Sequence, residues 1–335
     1  MRNLKINIVI PSITISTELI HCLKKMNQQT HKNFFVTIVL DYKNKNKLPK
    51  LKYKLNILIV GKKNMSYKRN LGVKKFKSDL IGFIDSDTFC HKNWIRNAID
   101  IIYLKKKEII GGPNIPFPNQ KYNELLCYKA KRSFFVTGYL NFRKFKTSSR
   151  YCDWLESCNL IMYRKLFIEN KGMNENIYVG EDKEFQERLQ KNDKSIKVFY
   201  SPKLFIYHKE RSLSKFLMQR LVFGLDLFNI TNFGNKISSF QPILPLLVVL
   251  IVGYLMVSDI ELKTKIYFTT FFIFFVQISI MINISTYIKK FSELFIVLII
   301  INLANLSYSF GSILRILHLH KFLDRRIYLK SRNNQ

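Results

Sequence analysis

The stretch Asn64–Phe89, NMSYKRNLGVKKFKSDLIGFIDSDTF, decides the fold of this chain. Its second half, Asp79-Leu80-Ile81-Gly82-Phe83-Ile84-Asp85-Ser86-Asp87, is a short apolar run that closes on two carboxylates two residues apart. A short apolar run bounded by polar residues predicts a buried strand. A strand that delivers Asp85 and Asp87 at its carboxyl end sets them where open α/β sheets take their ligands. Residues two apart on a strand point the same way, so both carboxylates can address one divalent cation. Hard cations such as Mg²⁺ use one or two carboxylates plus substrate phosphates, which suits a nucleotide diphosphate. The plain alternative is a turn, a role that Asp and Ser both favour.

Upstream, Ser66-Tyr67-Lys68-Arg69-Asn70-Leu71-Gly72 leads into a helical stretch, Val73 to Lys77, and then directly into the strand. A small residue, Arg-Asn-x-Gly, a short helix, a strand and Asp-x-Asp stand here in order. In that order and spacing the segment resembles the family 2 glycosyltransferases. The resemblance implies a GT-A-like α/β fold, with a Rossmann-type, mostly parallel sheet flanked by helices. It further implies Mg²⁺ or Mn²⁺ held by Asp87, helped by Asp85, against the diphosphate of a nucleotide sugar. Arg69 would lie against the nucleotide, since a guanidinium fits a diphosphate bidentately where lysine does not. The alternative for Arg69 is a solvated arginine at a helix start.

The N-terminal segment extends the resemblance. Ile6 to Ile10 predicts a strand ending at Pro11. Leu19 to Gln28 predicts a helix, with Thr17 as N-cap and Glu18 in its first turn. Phe35 to Leu40 predicts a second strand closing on Asp41, so a right-handed βαβ unit is expected. By resemblance Asp41 would accept a hydrogen bond from the nucleotide base, and Pro11 and Asn70 belong with Asp41, Arg69 and Asp85 to the nucleotide-binding set. Relatives often carry a second acidic residue and a Gly-Ser turn here, whereas this chain has Tyr42-Lys43-Asn44-Lys45. An ordinary strand-end turn residue remains the alternative for Asp41.

Further strands are expected at Leu55 to Val60 and at Glu108 to Pro113, with a helix at Trp94 to Ile102 between them. Asn114 to Arg150 shows no strong period. Then Trp154-Leu155-Glu156-Ser157-Cys158-Asn159 opens a strand, followed by Lys171-Gly172-Met173-Asn174-Glu175 and by Val179-Gly180-Glu181-Asp182. This resembles the second signature of the same family, a Glu-Asp pair opening a helix that ends in Arg188-Leu189. Gly180 supplies backbone freedom, and the dipole of a helix N-terminus keeps a carboxylate ionised. Such a carboxylate can act as general base towards an acceptor hydroxyl, and Asp182 is favoured for it over Glu181. Helix capping is the alternative. Two more strands are expected at Ile196 to Ser201 and Leu204 to His208. Relatives often place a histidine near the diphosphate or metal at the position of His208; a packed or surface histidine is the alternative.

Composition bounds the rest. The 335 residues allow one large or two modest domains. Lys and Arg number 55 against 23 Asp and Glu, a formal net charge of +32. Nucleic acid is the first partner such a charge brings to mind, but it needs a recognisable reading element, and none is present. The lysines are scattered among Asn and Ile, and the charge equally serves a domain on an anionic leaflet, at roughly 1 kcal/mol per basic residue near the surface. The five cysteines, Cys22, Cys90, Cys127, Cys152 and Cys158, lack zinc-ligand spacing and imply no disulfide framework. No secretory apolar region precedes Pro11.

The last third points to a membrane. Ser212 to Phe228 is amphipathic and suited to the interface. Ile266 to Ile284 and Leu294 to Leu314 are each near the roughly 20 apolar residues that cross a bilayer. Ile243 to Val257 is shorter and carries Pro245. The expectation is therefore a catalytic domain over residues 1–235 and a membrane domain with a basic tail over 236–335. Together with these segments, the family resemblance implies an inverting glycosyltransferase of the bacterial inner membrane, facing the cytoplasm. It would move a sugar from a nucleotide-diphosphate sugar to a lipid-linked or polysaccharide acceptor. A non-catalytic nucleotide-sugar-binding membrane protein is the rival; it would tolerate loss of Asp85, Asp87 and Asp182, and all three are present.

Overall fold

A computed structural model of the chain describes residues 4–105, 109–226 and 244–319. Strands β1 (Ile6–Ser12), β2 (Phe34–Leu40) and β4 (Leu80–Ile84) are buried along their whole length. Continuous apolar runs buried on both faces are what a parallel sheet covered by helices requires. β1 lies parallel between β2 and β4, and β2 is parallel to β3 (Lys54–Ile59), whose pattern of exposure marks it as an edge. The remaining strands are β5 (Thr88–Cys90), β6 (Ile109–Gly111), β7 (Asn114–Pro116), β8 (Arg150–Cys152), β9 (Asn159–Tyr163), β10 (Val198–Tyr200) and β11 (Ile206–His208). The main sheet runs β3-β2-β1-β4-β9-β6-β10-β8, and β9 enters it antiparallel to both neighbours. A small second sheet runs β5-β11-β7, and its strand β5 follows β4 in sequence. The expectation of a mostly parallel α/β sheet is met, with β9 and the edge strand β8 reversed.

Helix α1 (Thr17–Met26) starts one residue earlier than a Thr17 cap would allow. Ser16 is the cap, its side chain accepting from the Leu19 N–H. Helix α2 (Met65–Lys75) is capped by Asn64, which accepts from Tyr67, so the whole Arg-Asn-x-Gly segment is helical and Phe76 is already extended. Gly72 of that motif has a packing reason. A Cβ there would meet Val9 Cγ1 at 2.5 Å, and Asn7 Nδ2 donates to the Gly72 carbonyl at 3.1 Å. The glycine lets α2 lie directly on β1. Helix α3 (Trp94–Lys105) packs on the sheet through Trp94, Ile95, Ala98 and Ile102. The segment without a period holds α4 (Tyr122–Lys131) and the short α5 (Phe134–Thr137). Helices α6 (Arg164–Glu169) and α7 (Glu181–Asn192) follow β9.

The chain forms two compact units. The first is Met1–Phe117 with Phe142–Lys209, which holds both sheets; the second is Pro118–Asn141 with Glu210–Gln335. The expected boundary at residue 235 lies outside the described residues, as do Glu108, Ile243, the end of the amphipathic stretch at Phe228, and the basic tail from Lys321 onward.

In the second unit α8 (Leu213–Leu225) packs on α11 (Phe291–Ile316), and α9 (Leu244–Val257) and α10 (Leu262–Ser285) lie between them in the chain. The α8–α11 approach is close enough that a Cβ on Gly311 would stand 2.2 Å from the Leu221 carbonyl oxygen. Leu126, Cys127, Phe216, Ile284, Val297 and Ile301 form its core. Gln277 and Asn302 exchange amide hydrogen bonds of 3.0 and 2.8 Å between α10 and α11. Among the described residues α10 and α11 are the helices long and apolar enough to cross a membrane. α10 leaves Tyr267, Phe268, Phe271, Phe274 and Phe275 exposed, an apolar face of the kind that water does not favour.

Candidate active site

Asp85 follows directly on β4, and the chain turns there: the Thr88 N–H and hydroxyl both donate to the Asp85 carbonyl, at 3.2 and 2.7 Å. The turn reading and the ligand reading of Asp-Ser-Asp are thus compatible. The turn ends β4, starts β5, and leaves both side chains partly open, Asp85 at 35 % and Asp87 at 23 %. β11 pairs antiparallel with β5, setting His208 opposite Thr88. His208 Nε2 lies 3.8 Å from Asp87 Oδ1. Its Nδ1 sits 2.8 Å from the Lys209 carbonyl oxygen, which cannot donate, so Nδ1 carries a hydrogen and, in the neutral imidazole, Nε2 holds the lone pair.

Arg69 is only 3 % exposed. Its Nη2 pairs with Asp85 Oδ1 at 2.9 Å and its Nη1 with Glu181 Oε1 at 3.0 Å. Burial alone would lower its pKa, but the facing carboxylates Asp85 and Glu181 outweigh that and raise it. The sequence expectation set this guanidinium on the nucleotide; the structure sets it between two carboxylates. Asn70 is also turned inward. It accepts from the Met173 N–H at 2.9 Å and donates to the Met173 carbonyl and to Glu175 Oε1, both at 2.8 Å. It therefore clamps the Gly172-Met173-Asn174-Glu175 turn. Asp41 at the end of β2 pairs at 2.8 Å with Lys68, a fully buried lysine that also donates to the Ser12 carbonyl at 2.7 Å. Pro11 is buried within β1, paired with Val39.

Gly180 begins α7 in the left-handed region, at φ 83°, and supplies no side-chain cap. Asp182 does not spend its second oxygen on its own helix. Its Oδ2 accepts from the Ser157 N–H at 2.9 Å, tying α7 to the segment before β9. Burial, with the Glu181 charge beside it, pushes the Asp182 carboxyl up to about 7, against the opposing pull of the Ser157 hydrogen bond and Arg69. A carboxylate near neutral pKa is matched to general-base work at physiological pH.

Three residues escaped the sequence reading. Lys68 looked like one more lysine in a lysine-rich chain, although a lysine beside the Arg of the motif was a signal of sorts. Glu156 receives Lys144 Nζ at 2.8 and 2.9 Å and has Arg143 Nη2 at 3.9 Å. Burial would raise its pKa, but Lys144 and Arg143 draw it down to about 2. Arg143 also lies over the Trp154 ring, 3.9 Å from its centroid. Cys158 stands with Asp85 and His208 so that one ligand-bearing atom from each lies within 4.8 Å of the others. No spacing rule finds this trio, because its members come from three distant segments.

Residues 7–167 match the family model of glycosyl transferase family 2. Among solved structures the chain is similar to S. aureus TarS. With the crystal structure of TarS 1-349 in complex with UDP-GlcNAc it shares 14 % identity at a TM-score of 0.47, covering 94 % of this chain and 92 % of that one. The complex of the same TarS fragment with UDP gives 15 % identity and a TM-score of 0.47. Against a longer TarS chain the values are 15 % and 0.46, and the match spans 77 % of this chain and 46 % of that one. No curated protein sequence matches the chain.

Proposed function

We propose, from the match of residues 7–167 to the family model of glycosyl transferase family 2, a membrane-anchored, metal-dependent, inverting glycosyltransferase. The donor is a nucleotide-diphosphate sugar and the acceptor a hydroxyl on a lipid-linked or polysaccharide glycan. The observation that carries the reading is the shared use of Arg69. One buried guanidinium ties Asp85 of the strand-end pair to Glu181, the neighbour of Asp182 on α7. Two clusters 94 residues or more apart in sequence are thereby held as one site, as transfer between two substrates requires.

The donor set fits a divalent cation. Asp85 and Asp87 offer partly open carboxylates, and His208, with its Nδ1 turned to the Lys209 carbonyl, offers Nε2 when neutral. These three would hold Mg²⁺ or Mn²⁺, which when bound neutralises charge on the departing diphosphate. Asp41, paired with Lys68, presents an acceptor towards an N–H of the base. Asp182 takes the proton from the acceptor hydroxyl as its oxygen attacks the sugar carbon from the face opposite the leaving phosphate; that in-line displacement inverts the anomeric centre. Arg69 positions Asp85 and Glu181, and Asn70 fixes the turn that leads to α7. In the second unit α10 and α11 would anchor the chain in a bilayer, which favours an acceptor presented there.

A panel of nucleotide sugars, scored for nucleotide diphosphate release with membrane extract as acceptor source, tests the proposal. Release that requires both a dication and the extract supports it. Saturable donor binding with no release from any donor would leave the non-catalytic binder as the better description.

A further inference from the structure

Outside the ligand set implied by the family pattern, one side chain is placed to reach the same cation. Cys158 directly precedes β9, and β9 runs antiparallel to β4 with Ile84 opposite Asn159. Extending that register by one residue sets Asp85 beside Cys158. His208, at the end of β11, comes in from the small sheet, and one ligand atom each from Asp85, Cys158 and His208 lies within 4.8 Å of the other two. We propose that Cys158 completes with Asp85 and His208 a three-ligand oxygen, sulfur and nitrogen site that takes a thiophilic dication, Zn²⁺ in the first place, through its thiolate. The inference rests on the reading of Asp85 and His208 as cation ligands.

Each member of the trio is held by a second group, the arrangement that orients ligands in built metal sites. Arg69 pairs with Asp85 at 2.9 Å. The His208 Nδ1–H points to the Lys209 carbonyl at 2.8 Å, leaving Nε2 to bind. Asn114 Nδ2 donates to Cys158 Sγ at 3.1 Å and fixes the position of the sulfur. Cys158 is itself 8 % exposed, so the sulfur is shielded from bulk water and oxidants. Three protein ligands with one position open is the pattern of zinc sites that keep room for an exchangeable oxygen. Mg²⁺ gains little from sulfur or imidazole, whereas both suit zinc. On binding, the Cys158 proton passes to solvent and the sulfur lone pair forms the bond to the metal. A core thiol accepting one amide hydrogen bond is the rival description of Cys158, and it gives the sulfur no role towards any ion.

Zinc outcompetes magnesium at most nitrogen and oxygen sites, so preference alone decides nothing. The diagnostic readout is the sulfur. The full chain in detergent, without donor, is loaded with Co²⁺ and read for the near-ultraviolet thiolate-to-cobalt band, and Zn²⁺ affinity is measured by competition with a chromogenic chelator. We expect the band in the parent protein and its loss in Cys158→Ser and Cys158→Ala, with zinc affinity falling by at least the roughly 10- to 100-fold that even an outer-shell change costs. Thermal unfolding of the apo variants shows whether they remain folded, and Asn114→Leu, which leaves all three ligands in place, should weaken zinc binding without abolishing the band. Zinc binding by Cys158→Ser equal to that of the parent, or a cobalt complex without the thiolate band, would overturn the proposal. If the band is absent while turnover still needs Mg²⁺ or Mn²⁺, only the cysteine inference falls. If no dication binds or supports turnover, the metal reading falls with it.

Discussion

Arg69 Nη2 lies 2.9 Å from Asp85 Oδ1, and the opposite nitrogen of the same guanidinium lies 3.0 Å from Glu181 Oε1. The planar fork of arginine spans two carboxylates that a lysine would serve only one at a time. Breaking a buried pair by removing one partner costs about 3–5 kcal/mol; here Asp85 is partly solvated, so the lower end is expected. Arg69→Met should lose roughly 3 kcal/mol in chemical denaturation, and Arg69→Lys should recover part of it. An unchanged denaturation midpoint for Arg69→Met would show that the two carboxylates do not need it.

Asp87 tests the cation reading. Asp87→Asn keeps the shape of the side chain and removes its charge, so transfer should be lost and donor binding weakened. Its backbone carbonyl, which accepts from the Lys209 N–H at 3.1 Å, is untouched, and the fold should be retained. Near wild-type turnover of Asp87→Asn at ordinary Mg²⁺ would mean that Asp87 holds no cation.

Asp182 gives a prediction with a sign in pH. Its carboxyl is raised from the ordinary range to about 7, chiefly by burial and by the Glu181 charge. The base form is therefore present above about 7, and kcat/KM should fall as pH drops below it. Asp182→Asn should lower kcat by about 10²- to 10⁴-fold with donor affinity little changed. A raised folded-state pKa also means that the protonated form stabilises the protein, and that this stability is lost as pH rises through about 7. Asp182→Asn should hence gain more stability relative to the parent at pH 8 than at pH 5. Loss of donor binding in place of kcat would make Asp182 a structural tie to Ser157, and a larger effect of Glu181→Gln would exchange the two roles.

Local patterns made much of the first unit legible. The apolar runs of β1, β2 and β4 announce a covered parallel sheet, and Asp85, Asp87, Asp182 and His208 lie on segments whose order is readable from motifs. What the order of residues cannot carry is which charges meet. Arg69 looks like a surface residue that would reach a diphosphate; only the packing of α2 on β1 through Gly72 shows it buried. Lys68 and Cys158 stand in the same position. Their partners, Asp41 for one and Asp85 with His208 for the other, lie 27 or more residues away, and β9 entering the sheet in reverse is what brings Cys158 beside Asp85. The segment Asn114 to Arg150 lacked a period because α4 and α5 are short helices that bury polar ties, such as Ser133 to Asn283, alongside apolar faces.

Membrane topology follows from helix lengths and flanking charge. At about 1.5 Å per residue the 24 residues of α10 and the 26 of α11 reach about 36 and 39 Å, enough for a hydrocarbon core of roughly 30 Å. The 14 residues of α9 reach about 21 Å and do not. Nucleotide sugars are made in the cytoplasm, so the first unit should face it. The sequence beyond the last helix carries Lys321, Arg325, Arg326, Lys330 and Arg332, with Asp324 its only acid, and by the positive-inside rule it belongs on the same side. Both ends inside require an even number of crossings, so α10 and α11 should form an antiparallel pair and α9 should be re-entrant or interfacial. The loop with Lys289 and Lys290 would then be external, a violation that two charges can bear. Reporter fusions after Gln335 and near Lys289 in a bacterial host read this directly. A tail reporter active only outside the cytoplasm would restore α9 as a third span and sink the two-span arrangement.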